Sequence, residues 1–216
     1  MVDAALEAPK RKSQERSRTR EAILVAAITL YKRDGYGAVT MRAIAQQLGF
    51  SAPAIYNYFL SKEEIFLALQ ERGIQMLADA VLTPPTDDPL DDLRQIFVRY
   101  YQFTKAHPEY FTLLYVDPST PRLNFFETDA LGALVKETIT RVERCVERRI
   151  LPPDAVNVAA GYLWSIVHGA AVLRQIQNAA PGQNFDTLAL SGVELTLSAI
   201  RSGLLPQAIQ HAVKKA

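Results

Sequence analysis

The stretch TMRAIAQQLGFSAPAIYNYF, Thr40 to Phe59, decides how the rest of this 216-residue chain is read. Thr40 is a good N-cap for a short helix from Met41 to Leu48, in which Ile44 and Leu48 share a face and Gly49 supplies the stop. Ser51 is a second N-cap. Pro53 is tolerated in the first turn of the next helix, read as 52–59, because that N–H has no intrahelical partner. Two short helices across a tight glycine turn match the helix-turn-helix, whose second helix enters the DNA major groove. Ile44, Ala45, Leu48 and Ile55 would hold the pair against the preceding helix. Ile55 and Phe59, four apart, face inward, which turns Ala54, Asn57 and Tyr58 outward with Tyr56 at the edge. An Asn amide can pair with adenine, a Tyr hydroxyl can reach a phosphate, and a small Ala can approach a thymine methyl.

Upstream, Ile23, Ala27 and Leu30 recur at helical spacing from about Ser17 until Gly35, which predicts the helix that the pair packs on. Downstream, Ser61 with Glu64 three residues later is a capping box for a fourth helix, carrying Ile65, Leu69, Met76 and Ala80 as far as Leu82. The segment TPPTDDP, Thr83 to Pro89, is a composition break and the expected domain boundary. Beyond it, helices are predicted over 90–106, 109–116, 124–149, 154–179 and 186–202, separated by prolines and glycine. The expected fold class is all-α: a three-helix DNA-binding domain over 17–64 after a flexible basic arm at 1–16, then a helical effector-binding and dimerisation domain over 65–216. Helix 65–82 would connect them.

Charge follows the same division. From Pro9 to Lys62 there are ten Lys or Arg against three acids, and from Glu63 onward 14 basic against 18 acidic residues, within a net charge of only +1. A basic N-terminal part on an acidic remainder suggests a nucleic-acid reader joined to something else. A single cysteine, Cys145, excludes an intramolecular disulfide framework, and the N-terminus lacks an apolar signal region, so the expected location is the cytoplasm. Ala155 to Leu173 contains no charged residue and is long enough to span a bilayer, but Asn157, Ser165, His168 and two glycines dilute it, so no membrane association is expected.

The stretch from Thr19 to Leu69 resembles the N-terminal domain of the TetR/AcrR family of transcriptional regulators, in the first helix ending at Gly35, in AVTMRAIAQQLGFSAPAIYNYFLSKEEIF and in the aromatic pair followed by Lys62. The resemblance implies phosphate contacts from Thr40, Tyr58 and Lys62, and groove contacts from Arg42, Ser51, Ala52, Ala54, Tyr56 and Asn57. It also implies a homodimer on a double-stranded palindromic operator, acting as a repressor released by a small-molecule effector that shifts the fourth helix. GYLWSIVHGAAVL, Gly161 to Leu173, resembles the Trp-x-x-x-His-Gly signature of one C-terminal subclass, the WHG domain. The alternative is a DNA-binding structural or division factor on the same scaffold, without a small-molecule response.

Spacing adds a second message in the C-terminal part. Val156, Ala159, Leu163, Ile166, Ala170 and Leu173 form one apolar stripe, and Val158, Tyr162, Ser165, Gly169, Val172 and Ile176 another. In the last helix Leu188, Gly192, Leu195 and Ala199 lie beside Ala189, Val193, Thr196 and Ile200. Helices with two apolar faces suit a four-helix interface with a second copy. Aromatic residues Tyr100, Phe103, Tyr110, Phe111, Tyr115, Phe125 and Phe126, faced by Trp164 and His168, are candidate walls for an apolar or aromatic effector. Of these, Tyr100, Phe103, Phe111, Tyr115, Phe126, Trp164 and His168 form the candidate pocket. No enzyme, metal site or cofactor is expected: RDGYGAVT lacks the P-loop lysine, the three histidines are widely separated, and the aspartates near Pro89 suit a helix N-terminus.

Overall fold

The structure, a computed structural model, describes residues 4–121, 128–176, 182–205 and 207, with residues 4–10 in their backbone only. Its described residues form nine α-helices, α1 Ala4–Asp34, α2 Met41–Leu48, α3 Ala52–Tyr56, α4 Lys62–Val81, α5 Pro89–Ala106, α6 Pro108–Phe111, α7 Asp129–Glu147, α8 Val156–Gln175 and α9 Phe185–Arg201. A π-helical turn, Thr112–Val116, continues α6. The chain is all-α, as its punctuation predicts.

Two compact units emerge: one of Met1–Arg72 with Leu113–Leu123, the other of Gly73–Thr112 with Asn124–Ala216. In the first, α1 packs on α2 and α2 on α3. Ile23, Ala27 and Leu30 of α1 are buried together with Ile44, Ala45, Ile55, Phe59, Ile65 and Leu69, which the helical spacing selects, and with Phe66, which it does not; further along α4 the predicted Met76 and Ala80 are only partly covered, and Ile74, Leu77 and Ala78 are buried instead. Leu48 is only partly covered.

Two boundaries in this unit differ from expectation. Helix α1 begins at Ala4, and Arg11, Lys12, Gln14, Glu15 and Arg16 within it are straight-chain residues that lose little freedom in a helix. Helix α3 ends at Tyr56, so Asn57 and Tyr58 stand in the turn after it. Phe59 is nonetheless buried, as predicted, and drawing its ring inward turns the chain toward the start of α4. Ser61 accepts from the Glu64 amide at 3.2 Å, while the Glu64 carboxylate reaches back to the Leu60 amide at 2.6 Å, one residue before the usual box partner.

The segment Leu113–Leu123 joins this unit through contacts with no local sequence signal. The Tyr31 hydroxyl donates to Asp117 at 3.0 Å, and the Gln70 side-chain amide donates to the Pro121 carbonyl at 2.6 Å. Burial, with the adjacent Asp117 charge, pushes the Tyr31 phenol well above its ordinary range. Burial alone would raise Asp117 too, but hydrogen bonds from the Ser119 hydroxyl and amide and from Tyr31 outweigh it and hold the carboxyl low. At neutral pH this is a phenol donating to a carboxylate, a charge-assisted bond.

In the second unit α8 packs against α9, α5 and α7, and α7 against α5. Ala159, Leu163, Val167, Ala170 and Ala171 of α8 meet a core that includes Ala189, Val193, Leu197 and Ile200 of α9. Gly192 lets the two helices close: a Cβ there would lie 2.5 Å from Ile166 Cγ2. Among the described residues, one helical run, Pro153–Gln175, is long and apolar enough to cross a membrane, and it supplies part of this core. Buried Arg141 holds the Thr83 carbonyl and pairs with Glu137 at 3.1 Å, while Arg144 pairs with buried Asp92 and holds the Thr86 carbonyl. These arginines satisfy acceptors of the proline-rich connection before α5, where Asp88 caps the helix.

Candidate nucleic-acid interface

The helix-turn-helix is built from the predicted caps. Thr40 accepts from the Ala43 amide at 3.0 Å, and Gly49 ends α2 with φ 70°, the left-handed conformation that favours glycine. Ser51 occupies the N-cap of α3 without a side-chain hydrogen bond, which leaves its hydroxyl exposed, and Pro53 sits in the first turn. Burial of Ile55 and Phe59 fixes the rotation of the reader. Asn57 is exposed, Tyr56 is 50% exposed, and Ala52, Ala54 and Tyr58 are partly covered. Arg42 is exposed on α2.

Lys62, the first residue of α4, is held in place by Tyr36. Its ammonium donates to the Tyr36 carbonyl at 3.0 Å and lies 3.7 Å from the centre of that ring. Tyr36 packs edge-on against Phe66 at 4.7 Å, as does Tyr31 at 5.6 Å. An ammonium has three donors and the carbonyl uses one, so a fixed cation with remaining capacity stands at the end of the reader. Sequence reasoning missed Tyr36, which has no motif of its own. It also missed Arg16 and Arg20: the Arg16 guanidinium donates to the Asn57 carbonyl at 3.1 Å and lies 5.5 Å from the Tyr58 ring centre, and Arg20 lies 4.4 Å from that of Phe59. The available signal was the four-residue spacing of Lys12, Arg16 and Arg20 on one helix.

In the second unit the structure brings together four of the candidate effector residues. The Tyr100 hydroxyl is 2.7 Å from His168 Nδ1, Trp164 stacks on His168 at 4.5 Å, and Phe111 meets it edge-on at 5.5 Å. Phe103 is buried and faces His107 at 5.1 Å. Tyr115 lies in the segment that groups with the first unit, and Phe125 and Phe126 lie outside the described residues. Trp164 is an exposed edge of this group rather than an interior wall.

Burial lowers the His168 pKa, so the ring is neutral at physiological pH. Between that lowered value and the ordinary ~6.5 the unfolded chain binds the extra proton, so stability falls as pH drops through this window and is fully present above it. Thermal melts at pH 7.5 and 5.5 should show a larger loss for the wild type than for His168→Gln. An equal loss in both would remove His168 as the source.

Residues 23–69 match the family model described as bacterial regulatory proteins, tetR family, and residues 93–194 match the tetracyclin repressor-like C-terminal domain. An uncharacterized HTH-type transcriptional regulator of Mycobacterium tuberculosis is 34% identical over 159 residues, covering 72% of this chain and 69% of that protein. The chain belongs to the TetR family. That family consists of transcriptional regulators and not of enzymes. The HTH-type transcriptional repressor NicS of Pseudomonas putida is 27% identical over 138 residues, covering 63% of this chain and 65% of NicS. Across the first curated relatives the chain spans between 32% and 65% of their length. A solved structure of a protein with unknown function from Rhodococcus sp. RHA1 shares the fold with a TM-score of 0.70 and 20% identity, over 83% of this chain and 94% of that one. The C-terminal match corrects one expectation: this TetR-family chain carries the tetracyclin repressor-like domain rather than the WHG type. Its Trp164 and His168 fall at the WHG spacing because one helical turn stacks the indole on the imidazole, a local arrangement that does not define the domain.

Proposed function

We propose that this TetR-family protein is a cytoplasmic repressor that reads a palindromic DNA operator as a homodimer and is released by a small apolar or aromatic effector. The observation that carries this reading is the reader surface: exposed Tyr56 and Asn57, flanked by Arg42 and the fixed ammonium of Lys62, on a helix-turn-helix anchored by Ile44, Ile55 and Phe59. In this reading Thr40, Tyr58 and Lys62 hold phosphates, and Arg42, Ser51, Ala52, Ala54, Tyr56 and Asn57 face the groove. The DNA-reading part is residues 17–64, with residues 65–216 for effector and partner.

Exposed apolar side chains on α8 and α9 support the dimer. Tyr162, Trp164 and Leu173 of α8, Ile176 just after it, and Leu188 and Leu195 of α9 are all open to solvent in one chain. A palindromic operator presents its two half-sites about one DNA turn, about 34–36 Å, apart, which calls for two readers. The Tyr100, Phe111, Trp164 and His168 group supplies flat apolar surface with one polar pair, which suits an aromatic effector. Phe111 ends α6, and the chain then continues into the segment that Tyr31 and Gln70 hold.

Selection from a random duplex library with the purified protein, followed by salt-dependent binding of the enriched site, tests the reading. A palindrome with a steep salt slope is the expected result. No enriched sequence at low salt, from protein freed of bound small molecules, would overturn it.

A further inference from the structure

We infer that Arg16 is the positioning residue of the DNA reader, holding Asn57 and Tyr58 in their reading geometry from α1. The inference rests on the proposed DNA-reading function. Its physical basis is the brevity of α3, which comprises Ala52–Tyr56, five residues or about one and a half turns. A helix this short depends on tertiary contacts, because isolated helices of this length are unstable in water: buried Ile55 and Phe59 anchor its inner side, and Arg16 reaches its outer end from α1. Asn57 and Tyr58 lie beyond its last helical residue. The Asn57 and Tyr58 amides are tied back to Ala54 and Ile55, the latter at 2.9 Å, while the Asn57 carbonyl is reached by a side chain of α1.

Arg16 is that side chain, donating across 41 residues of sequence at 3.1 Å. The same guanidinium lies over the Tyr58 ring, so one planar group holds the backbone of the candidate base reader Asn57 and the aromatic plane of the candidate phosphate contact Tyr58. Arg20, one turn further along α1, lies over Phe59 and extends the contact inward to the core. A guanidinium can make both contacts together through its donors and its flat face, whereas an ammonium retains the charge but loses the plane. Arg16 is exposed, so its replacement does not open the core.

The test compares wild type, Arg16→Lys, Arg16→Ala, Asn57→Ala and Arg16→Lys/Asn57→Ala, each first melted to verify folding. Each is titrated with the enriched duplex, with duplexes altered at each half-site base pair, and with an unrelated duplex across a salt series. Arg16→Lys should keep the salt slope and weaken all duplexes only modestly, through Tyr58, while losing in addition about tenfold in discrimination at the base pairs that Asn57→Ala affects. In the Asn57→Ala background the lysine substitution should cause no further loss of discrimination. Wild-type discrimination in Arg16→Lys, with Arg16→Ala weakening all duplexes equally and lowering the slope, would make Arg16 a plain phosphate contact and overturn the inference. Full additivity of the two substitutions would overturn it as well. Failure of the wild type itself to prefer any duplex would instead defeat the DNA-reading function on which it rests.

Discussion

Leu195→Arg is expected to give a folded monomer whose operator affinity is lower by about three orders of magnitude. Leu195 is 70% exposed on α9, so in a single chain the arginine stays in water and stability changes by no more than about 0.5 kcal/mol. In a two-fold α8/α9 interface the same substitution appears twice, on self-complementary surfaces. Each guanidinium would then be buried without a carboxylate partner, at an effective cost of several kcal/mol per ion. The monomer that results carries one reader in place of two. Specific sites are usually bound at about 10⁻⁸ to 10⁻¹¹ M, and binding through backbone contacts alone at about 10⁻⁴ to 10⁻⁶ M, so loss of the second reader moves the protein most of the way between them. Sedimentation velocity with parallel DNA titration checks both halves of the expectation. A variant that remains dimeric would place the interface away from Leu195, and a monomer with unchanged affinity would separate operator binding from dimerisation.

The helix-turn-helix was legible because three of its four boundaries have local chemistry: Thr40 caps α2, Gly49 stops it, and Pro53 suits the first turn of α3. The all-α class and the packed face of α1 followed from spacing, whereas on α8 spacing selected Ala159, Leu163 and Ala170 but neither Val167 nor Ala171, and on α9 it selected Ala189, Val193, Thr196 and Ile200 but not Leu197. The end of α3 was harder to read, since its one stop signal, Asn57, is a weak one that the expected range 52–59 runs through, and the turn is completed by burial of Phe59 and by the cap of α4. The helical start of the chain was hidden behind its charge. Still less visible were long-range polar ties. Tyr31 with Asp117, Gln70 with Pro121 and Arg16 with Asn57 join residues 86, 51 and 41 positions apart, and periodicity carries no record of such pairs. Arg141, 1% exposed, would be placed on the surface by its residue type alone; the Thr83 carbonyl and Glu137 bring it inside.

For Tyr58→Ala/Lys62→Ala the expected result is a loss of about a thousandfold or more in affinity for every duplex, with the order of preference among them retained. The physical reason is that neither side chain is read as a base contact. Lys62 is pinned by the Tyr36 carbonyl and ring, so its charge meets a phosphate without much further loss of freedom. A charged hydrogen bond contributes about 1.5–3 kcal/mol and a neutral one about 0.5–1.5, and the palindrome doubles both. The salt slope isolates the lysine. Each phosphate neutralised contributes about 0.9 to the slope of log K against log salt, so removing one cation per half-site should flatten it by about 2 for the dimer. Tyr58→Ala alone should leave that slope unchanged. Lys62→Met keeps an apolar stem beside Tyr36 while removing the charge, and it should reproduce the flattened slope without the packing loss of alanine. An unchanged slope in Lys62→Met would remove Lys62 from the phosphate contacts. A changed order of sequence preference in the double variant would instead mean that Tyr58 takes part in reading bases, which would extend the base-reading edge from Asn57 into the turn that Arg16 holds.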